Sequence, residues 1–266
     1  MSRIDPREGR RLFGSDPAAY DRARPGHAER VYEVLVERCG LGPGTAVVEV
    51  GPGTGQATRR LLELGADPVV VVEPDPALAA YLSSVTDGRP EVRIAPLEEA
   101  DVPAEAFDLA VAASSFHWVE ERVGLSKLLA ALRPGGWVAL WWTLFGEGGR
   151  KDAFIEATSP LLDGLDLSPT RGVEGRAPHA LDTKARLTAL RAAGFADREH
   201  ELARWEASWD TAGIRALYGT FSPIARLDDR RREEILDEIA RIAEADFGGS
   251  VQRTLLTSLM TARKPG

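Results

Sequence analysis

The sequence predicts an α/β fold, a mostly parallel sheet with helices on both faces, and three observations lead there. Short apolar runs of the kind that form doubly covered strands alternate with helix-forming stretches between residues 47 and 142. The first run closes on Glu49-Val50, and glycines then recur at every second position, Gly51, Gly53 and Gly55. The helical stretch after that loop stops at Gly65, placed as a C-cap. Alternation of this kind implies right-handed βαβ crossovers and a parallel sheet.

The elements follow in order. Residues 47–50 are the first strand and 57–64 the helix after the glycine loop. A second buried strand at 68–72 ends on Glu73, and 77–82 is helical. Short strands follow at 92–95 and 107–113. Leu125, Leu128, Leu129 and Leu132 fall at helical spacing, and that helix stops at Arg133-Pro134-Gly135-Gly136. Residues 137–142 form the fifth strand. From Gly146 to Gly175 the chain is rich in Gly, Asp, Ser and Pro and reads as a mobile excursion with one short helix near Phe154-Ile155. Asp182-Thr183 caps a helix ending at Gly194, and 203–209 reads as strand. Helices around Ile214-Leu217 and from Glu233 to Ile242 then precede a final strand at 254–260. A helical insertion of that size between two strands is unusual for a hairpin and is expected to carry function.

Composition narrows the function classes. The 266 residues suit one α/β domain, and a hydrophobic content of 44% with 28% charged residues supplies a real core. A net charge of −8 argues against a nucleic-acid backbone as partner. Arg230-Arg231-Arg232 runs straight into Glu233-Glu234 and reads as a solvated helix face. The single cysteine, Cys39, leaves no internal disulfide and sits in an apolar helical pattern as a core residue. His27, His117, His179 and His200 show no ligand spacing, so no metal is expected. The N-terminus lacks a signal-like apolar segment and no run is long enough to cross a membrane, so a cytoplasmic protein is expected.

Two cofactors suit a strand, a glycine loop and a helix with an acidic residue closing the second strand. A dinucleotide sets its pyrophosphate on Gly-x-Gly-x-x-Gly. Here the spacing is Gly-x-Gly-x-Gly, and Gln56 stands where the third dinucleotide glycine would be. S-adenosylmethionine has no phosphate; its amino-acid end can approach the loop backbone while Glu73 accepts from both ribose hydroxyls. Glu49 sharpens the choice, because a carboxylate at the strand end suits an ammonium or sulfonium and repels a pyrophosphate.

Five motifs in order, Glu49-Val50-Gly51-Pro52-Gly53-Thr54-Gly55, Glu73-Pro74-Asp75, Phe107-Asp108-Leu109, Phe116-His117-Trp118 and Leu132-Arg133-Pro134-Gly135-Gly136, resemble those of class I S-adenosylmethionine-dependent methyltransferases. The likeness runs from about Phe13 to Leu140. Tyr20-Asp21-Arg22-Ala23-Arg24-Pro25 is similar to an N-terminal element of the small-molecule subgroup that includes trans-aconitate methyltransferase-like proteins. With it, the expected fold is Rossmann-like, seven-stranded and mostly parallel, with the last strand antiparallel, in a single domain over 1–266. An N-terminal helical cover at about 5–40 and the insertion at about 210–250 would close over the acceptor pocket.

The resemblance implies that Gly51, Pro52, Gly53, Thr54 and Gly55, with Gln56 opening the helix, wrap the methionine part and that Glu73 holds the ribose. Pro74 and Asp75 would flank ribose and adenine, Leu97 and Glu98 border the adenine, and Ser114 and Ser115 lie beside the sulfonium. Tyr20 and Arg24 would close the amino-acid end. His117 is the expected general base, although a His-Trp pair opening a helix also serves a purely architectural role. Phe116, Trp118, Trp142, Tyr218, Phe221 and Ser222 are the expected acceptor-pocket residues. The implied activity is methyl transfer to a small-molecule acceptor, with O-methylation, including that of a carboxylate, favoured by the subgroup resemblance. An NAD-dependent oxidoreductase and a non-catalytic methyltransferase-like binding protein are the alternatives.

Overall fold

The computed structural model describes residues 16–146, 152–165 and 178–266. A seven-stranded sheet in the order β3-β2-β1-β4-β5-β7-β6 runs through the molecule. Its strands are β1 (Thr45–Val50), β2 (Ala66–Val72), β3 (Glu91–Arg93), β4 (Phe107–Ala113), β5 (Leu132–Phe145), β6 (Ala196–Asp210) and β7 (Ser250–Arg263). The first five pair in parallel, and β7 runs antiparallel to both β5 and β6. The expected seven strands with an antiparallel last strand are therefore present.

Residue alternation along the strands sorts the core. Val48, Val50, Val70, Ala110, Leu140 and Trp142 pack on one face beneath α5 (Glu121–Ala131) and α7 (Thr183–Ala192). Val47, Val69, Val71, Leu109, Val111 and Trp141 pack on the other, against α2 (Glu29–Glu37), α3 (Gln56–Glu63) and Leu82 of α4 (Pro76–Val85). Cys39 lies in this second layer. A third cluster joins α6 (Ala153–Thr158), α8 (Thr211–Gly219), α9 (Ser222–Ala225) and α10 (Asp229–Phe247) around Tyr218, Ile239 and Val251. Acidic caps open many of these helices: Asp16, Asp75, Asp182, Asp210 and Asp228 each accept a backbone N–H of the first turn.

Several expected boundaries move. The leucine helix ends at Ala131 and Leu132 already belongs to β5, because Leu132 pairs with Phe107 of β4. Strand β6 spans 15 residues where only 203–209 reads as strand, since Asp197, Arg198, Glu199, His200 and Glu201 mask its first half. A charged strand is what an unpaired sheet edge tolerates, and β6 is that edge. Helix α2 packs against the sheet; among the described residues of the expected N-terminal cover, α1 (Pro17–Ala23) and the segment after it supply cavity walls, and the part before Asp16 lies outside the described residues. Half of the expected mobile excursion lies outside the described residues; the described part holds α6 at the expected short helix and a 3-10 turn at Ser159–Leu162. Arg230 and Arg231 are exposed on α10 and pair with Glu234.

The sheet order reverses between β1 and β4, so the loops leaving their carboxyl ends diverge and leave a crevice. The turn that returns the chain from α3 to β2 is sterically closed: Gly65 has φ +94°, and a Cβ there would stand 2.8 Å from the Pro43 backbone. Replacing Gly65 with Ala is expected to cost more than about 2 kcal/mol, because neither backbone can yield; a denaturant midpoint unchanged from the parent would contradict this packing.

Candidate functional site

Most of the site is built where parallel strands end. After β1 the chain turns through Gly51, whose N–H donates to Val72 O at 2.8 Å, tying the loop to the end of β2. A Cβ on Gly51 would stand 2.6 Å from Ser115 Cβ, so the loops after β1 and β4 touch only because residue 51 is glycine. Ser115 Oγ donates to Val50 O at 2.5 Å across the same contact. Gly53 N–H donates to Glu73 Oε2 at 3.1 Å, and Asp75 N–H to Glu73 Oε1 at 3.0 Å. The Glu73 carboxylate, only 3% exposed, is thus fixed at the rim between two loops.

Glu49 lies beneath, fully buried. Thr58 Oγ1 donates to its Oε2 at 2.6 Å, while Oε1 has no partner. Burial pushes its pKa up to about 7, opposed by the Thr58 hydrogen bond and reinforced by the charge of Glu73.

Above these loops opens a cavity of about 1160 Å³, counted to its mouth. Its walls come from the loop after β1 (Gly51, Pro52, Gly53, Thr54 and Gln56), from Glu73, Pro74, Pro96 and Leu97, and from Ser114, Ser115, Trp118 and Val119. Tyr20, Arg24, Pro25, Gly26 and His27 close one side, and Thr143 and Phe145 line it from β5. The N-terminal segment is tied down: Gln56 Nε2 donates to the carbonyls of Asp21 and Arg24, both at 3.1 Å, and Arg59 pairs with Asp21 at 3.1 Å. Arg24 Nε donates to Thr220 Oγ1 at 2.7 Å, its guanidinium lying over Tyr20 and Phe221.

Other sequence-expected residues are brought close without lining the cavity. Glu49 is fully buried, one residue before the lining Val50. Gly55 is the N-cap residue of α3, and Asp75 spends its carboxylate capping α4. Glu98 Oε1 accepts from Glu120 N–H at 2.9 Å.

The acceptor-pocket expectation needs correction at several positions. Phe116 is buried in the core and packs on Gly124 of α5. Trp142 is buried as well, and its indole donates to His117 Nδ1 at 3.3 Å. His117 is therefore turned to Trp142 and His179 and does not line the cavity. Burial pushes its pKa down to about 3; its place on Trp142, outside the cavity wall, is what removes it as the expected base. Tyr218 shares a 2.9 Å hydrogen bond with Thr158 in the third cluster, Ser222 is buried at the start of α9, and Phe221 backs Arg24. No lining residue comes from 210–250; the insertion reaches the site only through Thr220 and Phe221 behind Arg24.

Sequence reasoning missed His27, Thr143 and Phe145. Signals for them existed: His27 follows the Arg24-Pro25 element by two residues, and Thr143 and Phe145 continue the period-two face of Trp141. Among the described residues no group of three His, Cys, Asp or Glu side chains is placed to hold a metal, and no helix is long and apolar enough to cross a membrane.

Comparison with known proteins agrees with this geometry. Residues 48–140 match the family described as Methyltransferase domain, which makes the segment from β1 into β5 a methyltransferase domain, a kind whose cofactor is S-adenosylmethionine. An uncharacterized methyltransferase of Mycobacterium tuberculosis is 32% identical over 137 residues, 51% of this chain and 53% of the relative. The chain thus spans about half the length of the first curated relatives it matches. An uncharacterized methyltransferase of Schizosaccharomyces pombe is 24% identical over 260 residues, covering 96% of this chain and 97% of that one. A solved structure of Haemonchus contortus phosphoethanolamine N-methyltransferase 2, in complex with phosphomonomethylethanolamine and S-adenosylhomocysteine, shares the fold. Its TM-score is 0.59 at 15% identity, covering 99% of this chain and 61% of that one.

Glu49 makes stability depend on pH. Its folded pKa is raised, so the native state keeps a proton that the unfolded chain releases, and stability falls as pH rises from about 4.5 to about 7. The loss amounts to about 3 kcal/mol. Glu49→Gln should remove that slope, and an unfolding curve whose pH dependence is the same in both proteins would contradict the assignment.

Proposed function

We propose that this chain is a class I S-adenosylmethionine-dependent methyltransferase acting on an oxygen of a small-molecule acceptor in the cytoplasm, with no nucleic-acid partner. The observation that carries the reading is the Glu73 carboxylate, held by the N–H groups of Gly53 and Asp75 at the rim of the cavity. The cofactor fits this site on two counts. A Cβ on Gly53 would project into open space beside the loop, the space a close-lying ligand requires. The buried Glu49 Oε1 lacks a partner, and an ammonium group above the loop would supply one through water. That same carboxylate opposes a pyrophosphate, which weighs against the oxidoreductase reading.

When bound, S-adenosylmethionine supplies a methyl group on a positively charged sulfur. The chain's own residues do the rest by placement. Glu73 would accept from the ribose hydroxyls, and Leu97 and Pro74 offer apolar surface to the adenine. Gly51, Gly53 and Thr54 bring backbone against the amino-acid end, which Tyr20 and Arg24 shut off from water. Ser114 and Ser115, at the end of β4, stand beside the reacting centre. In-line displacement needs alignment and exclusion of water more than it needs chemistry from the protein. A carboxylate acceptor, the one implied by the subgroup resemblance, needs no base, whereas a hydroxyl does.

Calorimetry with S-adenosylhomocysteine and with NAD tests the reading. S-adenosylhomocysteine should bind and NAD should not, and the reverse result would sink the proposal. Glu73→Ala should weaken S-adenosylhomocysteine binding by roughly 100-fold or more, since two charge-assisted hydrogen bonds are worth about 3–6 kcal/mol. An unchanged affinity would show the ribose to lie elsewhere.

A further inference from the structure

One histidine stands among the described residues that line the cavity. His27 lines it from the short segment between α1 and α2. The imidazole stands nearly perpendicular to the Trp141 indole, 87° between planes and 5.6 Å between centroids. Trp141 pairs with Ala113, and its carbonyl accepts from Ser114 N–H at 2.7 Å. That contact sets the ring beside the end of β4 and against Trp141, before β5 runs on to Phe145. Glu73 follows β2, and β1 and β4 lie between β2 and β5 in the sheet. The ring therefore occupies the end of the cavity away from the ribose-holding carboxylate, next to the serines placed beside the reacting centre.

The two ring nitrogens differ. Nδ1 is sealed from solvent and has no hydrogen-bond partner, so Nε2 is the nitrogen through which the ring can exchange a proton with the cavity. A buried, unpaired polar atom costs about 1–3 kcal/mol, and nothing in the packing of the sheet requires a histidine at this place. Burial alone lowers the ring's pKa to about 4, which leaves it neutral at physiological pH and free to accept.

We propose that His27 is the general base of the reaction and that the acceptor is therefore a hydroxyl group. This rests on the methyl-transfer reading above. A group that must both attack and give up a proton at neutral pH needs a lone pair and a proton together. A carboxylate has no proton to give, and an ammonium has no lone pair. The neighbouring wall of Val50, Thr143 and Phe145 is uncharged, and it desolvates a neutral hydroxyl at far less cost than either ion. In the step, the hydroxyl oxygen forms the new carbon–oxygen bond as the carbon–sulfur bond breaks, and that electron pair stays on sulfur. The O–H proton passes to His27 Nε2, and the imidazolium then releases it to water. Oxygen becomes strongly acidic as it gains the methyl, so a weakly basic imidazole suffices to take the proton.

The test uses the whole chain, with phenol as hydroxyl probe and benzoate as its proton-free counterpart. Long-range proton–nitrogen spectra of the protein saturated with S-adenosylhomocysteine should show His27 protonated at Nδ1 and bare at Nε2. The signal is assigned by its loss in His27→Asn. Its Nε2 resonance should shift on adding phenol and stay still on adding benzoate. With labelled S-adenosylmethionine, phenol should be methylated. His27→Asn should lower kcat by about 100-fold or more, with S-adenosylhomocysteine affinity and melting temperature kept. A bare Nδ1, an Nε2 signal indifferent to phenol, or an unchanged kcat in His27→Asn would overturn the proposal. Failure of the parent protein to bind S-adenosylhomocysteine would instead overturn the methyltransferase reading beneath it.

Discussion

The burial of β1 is the constraint on which the rest of the molecule depends. Parallel neighbours pair with both its edges and apolar layers cover both its faces. The chain can leave such a strand only at its end, and the reversal of strand order beside it keeps that end open. Glu49 is the exception this strand tolerates, a carboxylate with one hydrogen bond inside an apolar layer.

Around that opening the molecule divides its tasks along the sheet. Glu73, beyond β2, is held rigid by backbone donors, while His27 stands beside the end of β4 and against Trp141 with its sealed nitrogen unpaired. The segment carrying His27 is clamped at several points, through Gln56, through the Arg59–Asp21 pair and through Arg24 on Thr220. The helices at 211–247 therefore act on the site from behind. They position Arg24 through Thr220 and Phe221 and contribute no wall of their own.

The glycine loop, the acidic end of β2 and the seven strands were legible in the sequence because each is encoded locally. An apolar run, a glycine every second residue and an acidic residue at a strand end are read within a few positions of one another. Tyr20, Arg24, Leu97, Ser114, Ser115 and Trp118 do face the cavity, each lying near a strand or helix terminus. The expectations for His117, Trp142, Tyr218 and Ser222 differ from what the fold presents. Aromatic and histidine side chains near a sheet edge bury as readily as they bind, and the choice depended on partners distant in sequence. Trp142 found His117, and Tyr218 found Thr158.

By itself, the sequence determined the layered α/β architecture, the loop that approaches a ligand and the carboxylates on either side of it. Periodicity and backbone freedom act over a few residues and need no long-range partner. Only the tertiary structure decided which titratable ring meets the cavity. His27 precedes the glycine loop by a whole helix and the first strand, so no local pattern links the two. It is placed by its contact with Trp141 and by the clamps on its own segment. The length of β5 past Trp142, which carries Thr143 and Phe145 into the wall, was likewise set by its pairing with β7.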